Sequence, residues 1–190
     1  MGKEALNLSG STSGRSKGFS LLELIIVIAI IALMGVIAIP QFSKERTKAI
    51  DTLFVSLNAL TRAAYNDAHI TGALHRIVFD LAHDQASIER ATDKKTASGD
   101  LIFEPVNSRY IKNSISWPEM LLMSNFYIKK TDELQGAKTT KVWFYINPDG
   151  VSQQIIINFL DQEHNKAWSF VLNPFTVQFK KYDEFQKPSQ

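Results

Sequence analysis

The 190-residue chain contains no cysteine, which excludes disulfides, zinc ribbons, thiol nucleophiles and thioredoxin-like redox chemistry. It also lacks a charge excess of one sign beyond its first residues. The formal net charge is +2, but Lys3, Arg15 and Lys17 face only Glu4 in residues 1–18, which leaves 18 basic and 18 acidic side chains after Gly18. That remainder is formally neutral, so global attraction to nucleic acid or anionic lipid has no support. Local pairs such as Lys94-Lys95, Lys129-Lys130 and Lys180-Lys181 read as solvated surface charge.

Catalytic signatures are missing too. The histidines are His69, His75, His83 and His164, and none forms a His-x-x-x-His or Glu-x-x-His pair suited to a metal. No Gly-x-Ser-x-Gly, phosphate loop or dinucleotide fingerprint occurs. Asp80, His83 and Asp84 could suggest acid-base work, but a strand and its turn should splay them into solvent. The expectation is therefore no enzyme, no cofactor, no metal and no small-molecule substrate.

What the chain does have is one long apolar run. Residues 19–39, FSLLELIIVIAIIALMGVIAI, are 21 positions with Glu23 as the single charge. As a helix they span ~31 Å, the thickness of a bilayer core. A helix apolar on every side needs lipid or the centre of a far larger protein, so a membrane span is expected. A secretory signal peptide would need a shorter apolar run and a small-x-small cleavage site, and the sequence offers neither. Before the run, NLSGSTSGRSKG is rich in Ser and Gly and cannot bury surface, so residues 7–18 should be disordered.

Gly18-Phe19-Ser20-Leu21-Leu22-Glu23, followed by an unbroken apolar run ending at Pro40, resembles the type IV pilin and type II secretion pseudopilin amino end. The resemblance implies that a prepilin peptidase cuts between Gly18 and Phe19 on the cytoplasmic side. It also implies N-methylation of the new Phe19 amine, with residues 1–18 removed as a leader. Glu23 then falls on the family's glutamate position, fifth in the mature chain, and Pro40 on its helix-kink proline. Basic residues flank the apolar run on both sides, so charge does not orient it. The cleavage motif alone places the amino end in the cytoplasm, with a single pass through the inner membrane and the head periplasmic or extracellular.

A lone carboxylate in lipid costs up to ~2.5–3.5 kcal/mol at the bilayer centre, so Glu23 calls for a partner. The next charged residue in the chain is Lys44, roughly 30 Å along a helix. By resemblance the partner is the amine of a neighbouring subunit, which implies an axial offset of ~6 Å or more. Opposite charges 4 Å apart at an effective dielectric near 20 attract by ~4 kcal/mol, enough to draw a subunit from lipid into a filament. The competing reading is that Glu23 snorkels to the headgroups.

After Pro40, which lacks an amide hydrogen and should kink the helix, the helical pattern resumes. Ile50, Leu53, Phe54, Leu57, Leu60 and Ala64 recur at helical spacing, and the helix should end near His69 to Gly72. Residues 40–71 are thus an amphipathic continuation, and 72–190 a β-rich head. Strands are expected at 76–81, 86–90, 100–103, 141–146, 154–160, 167–172 and 175–180, with a hairpin turn at Asn147-Pro148-Asp149-Gly150. Trp117-Pro118-Glu119 should open a short helical turn over 120–123. The fold class expected is α+β, with a long bent helix packed on an antiparallel sheet.

The head resembles H-type minor pseudopilins and their pilus relatives through Phe144, Pro148 and Gly150. No calcium loop of the major pseudopilin kind and no disulfide loop of the major pilin kind is visible. The resemblance implies a minor pseudopilin of a secretion pseudopilus, with other pseudopilins or pilins, the prepilin peptidase and membrane lipid as partners. The alternatives are a minor pilin of a type IV pilus, or a tip module that binds secreted substrate, DNA or a surface.

Overall fold

The computed structural model describes residues 20–107, 112–135, 139–163 and 165–189, with the backbone alone over 35–46. A single helix, α1 (Leu21–Thr71), begins the described chain. By its contacts the protein divides into two units, Met1–Lys44 and Glu45–Gln190.

In the first unit the described structure is helix. Ser20 caps it: its carbonyl accepts the Leu24 N–H at 3.2 Å and its Oγ accepts the Glu23 N–H at 3.2 Å.

The second unit holds the rest of α1 and every strand. The helical stripe buries Ile50, Leu53, Leu57, Leu60, Ala64 and Ala68, the spacing that puts one face against a core. Gly72 ends the helix, with φ of +67° and its N–H on the Ala68 carbonyl at 2.9 Å. Two antiparallel sheets follow in place of the single sheet expected. Sheet A contains β1 (His75–Asp80), β2 (Gln85–Lys95), β3 (Leu101–Pro105), β4 (Ser114–Ser116) and β7 (Lys141–Ile146), in the order β3-β2-β1-β7 with β4 also on β2. Sheet B contains β5 (Leu121–Ile128), β6 (Thr131–Asp132), β8 (Ile155–Asp161), β9 (Lys166–Asn173) and β10 (Gln178–Tyr182), in the order β10-β9-β8-β5-β6.

Alternating residues face inward and meet in one aromatic core. Phe79 and Phe144 of sheet A reach Phe126 and Phe179 of sheet B, with ring centroids 5.4 and 6.2 Å apart. Phe54 of α1 stands edge-on to Phe170 of β9 at 5.4 Å. Asn58 fastens the helix to edge strand β10, accepting the Phe179 N–H at 2.7 Å and donating to its carbonyl at 3.4 Å.

Three local expectations are corrected. Residues 120–123 are not helical: a turn passes the Leu121 N–H to the Pro118 carbonyl, and β5 then starts, with Leu121 and Met123 buried against the core. The 147–150 turn forms, with Gly150 at φ +82°, but it carries the chain from sheet A to sheet B and does not close a hairpin between β7 and β8. Residues 174–177 make a turn in which Asn173 Oδ1 accepts the Phe175 and Thr176 N–H groups, so β10 begins only at Gln178.

Candidate assembly site

Glu23 sits in the first turn of α1 at the third position after its cap, where the partial positive charge of the helix end favours a carboxylate. Ser20 and Glu23 together make the Ser-x-x-Glu signature of a capped helix start. Glu23 is therefore a capping residue as well as a lone acid in an apolar run, a role that the Ser20–Glu23 spacing carries in the sequence. Beyond it, every large apolar side chain from Leu21 to Met34 is at least 41% exposed, on all sides of the helix. Such a surface is stable against lipid or against other helices, not against water.

Gly18 and Phe19 lie outside the described residues, and Pro40 falls where only backbone is described. Among the described residues no helix is long and apolar enough to cross a membrane. The apolar run with described side chains stops at Met34, ~20 Å from Leu21 along the helix, short of a ~30 Å bilayer core.

In the head, two charged constructions tie elements together. His75 of β1 is fully buried, its Nε2 2.7 Å from Asp67 Oδ2 near the end of α1 and its Nδ1 2.9 Å from the Ala73 carbonyl. Arg90 of β2 reaches the same Asp67 oxygen at 3.9 Å. On the outer face of sheet A, Arg76 lies between Phe103 and Trp143, 4.2 and 5.1 Å from their ring centres. Its guanidinium is bonded to Glu89 at 2.7 Å through Nε. Trp143 is 38% exposed and donates its indole N–H to the Tyr145 hydroxyl at 3.0 Å.

Asp80 and His83 do not splay apart as expected: His83 Nδ1 is 3.1 Å from Asp80 Oδ1, and Lys141 Nζ is 3.3 Å from Oδ2. Burial pushes the Asp80 carboxyl up. Hydrogen bonds from His83, the Ala82 N–H and Lys141, with the charge of His83, outweigh that and hold it below the usual value of 3.8. His83 is 74% exposed, so this is a solvated pair that closes the β1–β2 turn. Among the described residues no three His, Asp or Glu side chains converge to hold a metal.

Comparison with known proteins bears on the amino end. Residues 13–39 match the prokaryotic N-terminal methylation motif. No curated protein matches the chain. Two solved structures of the minor pseudopilin EpsH from the type II secretion system of Vibrio cholerae are similar to it. One is 10% identical with a TM-score of 0.45, covering 73% of this chain and 95% of that one. The other is 12% identical with a TM-score of 0.47, covering 72% and 97%. The helix start capped by Ser20 and the apolar surface beyond it thus lie within a motif of the prepilin N-methylation type, and the chain carries that motif at its amino end.

Proposed function

We propose that the chain is a structural subunit of a type II secretion pseudopilus, of the minor pseudopilin kind, and not a catalyst. The methylation-motif match over residues 13–39 carries this reading, supported by a helix whose apolar surface is open on every side. In this reading a prepilin peptidase removes residues 1–18 by cutting between Gly18 and Phe19, and Phe19 is N-methylated. Residues 19–39 hold the subunit in the inner membrane with the head on the far side from the cytoplasm, Pro40 kinks the helix, and residues 72–190 form the head. Glu23 accepts the Phe19 amine of a neighbouring pseudopilin, a contact that draws the subunit out of lipid.

Intact-mass and N-terminal peptide analysis of the protein from its native host tests the processing step. The expected first residue is N-methylated Phe19; a chain still beginning at Met1, or one lacking the apolar run, would end the proposal. Glu23→Ala tests the assembly step separately. Processing should be unchanged while incorporation into filaments falls, and normal incorporation would dismiss amine pairing.

The outer face of sheet A favours a second reading, a recognition module at a filament tip. Trp143 is exposed there beside an arginine held between two aromatic rings, the kind of rigid aromatic surface that anchors partners. Binding of the head to secreted substrates, and its loss in Trp143→Ala, separates this role from a purely structural one.

A further inference from the structure

The edge of a β-sheet presents unpaired backbone groups, and the ends of the two sheets deal with them differently. At β10 the edge is taken up by Asn58 of α1. At β3 it carries Pro105, which has no N–H, and the register with β2 breaks between Ala91 and Lys95. At β6 it is two residues long. The remaining end of sheet A is β7, whose ladder partner is β1.

Along an antiparallel strand the backbone groups of alternate residues turn toward and away from the partner. The Thr140 carbonyl accepts the Leu81 N–H at 2.8 Å, so Val142, Phe144 and Ile146 also turn their backbone groups to β1. Lys141, Trp143 and Tyr145 turn theirs to the open side. There Tyr145 is already served: its N–H donates to Gln153 Oε1 at 3.0 Å and its carbonyl accepts from Ser152 Oγ at 2.8 Å. The chain covers its own edge at Tyr145 and stops. Among the described residues the outward N–H and C=O groups of Lys141 and Trp143 have no partner. A cleft of about 290 Å³ opens beside them, lined also by Ile128 at the end of β5 and Glu133 just after β6. Glu133 is exposed and, among the described residues, in no ion pair.

We propose that the Lys141–Trp143 edge takes up an extended segment of another polypeptide as an added strand, one in which basic and apolar side chains alternate. Unpaired N–H and C=O groups at strand spacing are complementary to a peptide backbone. Alternate side chains of an added strand leave on opposite faces. On the outer face they meet the exposed Trp143 indole, set beside Arg76 and Tyr145. On the other they meet Ile128 and the Glu133 carboxylate, a combination that suits the apolar stem and charged head of a lysine. This mode of binding rests on the recognition reading of the same face, to which it adds the partner's backbone conformation and charge.

The full chain in non-ionic detergent is titrated with a short labelled peptide of alternating valine and lysine, and the bound state is mapped by hydrogen exchange. Saturable binding is expected, with protection gained at the Lys141 and Trp143 amides, and a valine–glutamate counterpart should bind more weakly. Lys141→Pro removes one outward N–H, and because that group faces away from β1 the sheet tolerates the change. Its binding should be about five- to tenfold weaker than that of Lys141→Ala, which lacks the same side chain. Should Lys141→Pro not fold, the exchange pattern of the wild-type chain decides alone. No binding of the lysine peptide, or binding without protection at Lys141 and Trp143, overturns strand addition. If Trp143→Ala abolishes such unprotected binding, the recognition reading stands without the added strand; if Trp143→Ala has no effect either, both fall. Protection of these amides before peptide is added, rising with protein concentration, would make a second copy the occupant and overturn the proposal as well.

Discussion

His75 has no exposed surface, and its two ring nitrogens are occupied by the Asp67 carboxylate and the Ala73 carbonyl. Asp67→Ala leaves a buried ring nitrogen without its partner, and should cost about 1–3 kcal/mol in chemical unfolding of the full chain. Gly150 is under a different constraint. At φ +82° an added Cβ would lie 2.5 Å from Tyr65 Cε2, on the face of α1 that meets the 147–150 turn. Gly150→Ala should lower stability by about 1–3 kcal/mol through left-handed strain and overpacking together; a thermal midpoint equal to wild type would refute the contact. Asp80 sets a pH dependence. Its carboxyl is held below 3.8 in the folded chain, so the stability it contributes is fully present above that value and is lost as pH falls through the lowered folded value. Asp80→Asn should be less stable than wild type at neutral pH, and the difference should shrink as pH falls below about 4, so that the acid limb of its stability profile is flatter.

At the scale of elements, the attachment of α1 to β10 rests on Asn58, whose side chain takes both the N–H and the carbonyl of Phe179 at the open edge of sheet B. Asn58→Ala should speed hydrogen exchange at the Phe179 amide by roughly five- to tenfold, as expected if a bond worth ~1–1.5 kcal/mol is lost. Exchange in β8, at the centre of the sheet, should hardly change. The helical stripe from Ile50 to Ala64 and the strand over 141–146 were legible because burial imposes periods of 3.6 and 2 on the sequence. Residues 121–128 were not. Pro118 ahead of Met120 to Met123 imitates a helix start, and the bulge between Met123 and Asn125 breaks the alternation that would have marked a strand. The turn at 147–150 was legible from Pro148 and Gly150, but turn chemistry does not specify whether the two flanking strands pair with each other. The segment over 183–189 carries no pattern because what holds it belongs to other strands: Ser169 Oγ accepts the Gln186 N–H and Asn158 Nδ2 donates to the Gln186 carbonyl. At the assembly site, Glu23 stood out as a lone charge, while its place in a capped first turn required reading Ser20 with it.

At the scale of the whole molecule, the two units differ in what stabilises them. In the first, the apolar side chains described from Leu21 to Met34 are exposed on every side, a surface that lipid or other helices would stabilise and water would not. The second, Glu45–Gln190, has a core of its own, and the contribution of α1 to that core starts at Ile50. A fragment beginning at Glu45 should therefore unfold cooperatively in water without the apolar run. A fragment beginning at Ser56 loses Ile50 and Leu53, which are 0% and 3% exposed, and the Phe54 ring against Phe170. The first two losses alone amount to ~3–6 kcal/mol of apolar burial, against a total of ~5–15 kcal/mol for a domain of this kind. The Asp51–Lys181 pair also goes, but with Asp51 52% exposed it contributes little. Urea unfolding monitored through tryptophan fluorescence separates the two fragments: a sigmoidal transition for the longer, and a midpoint shifted far toward zero or no transition for the shorter. Equal midpoints would mean that the helix between Ile50 and Leu53 adds nothing to the stability of the head.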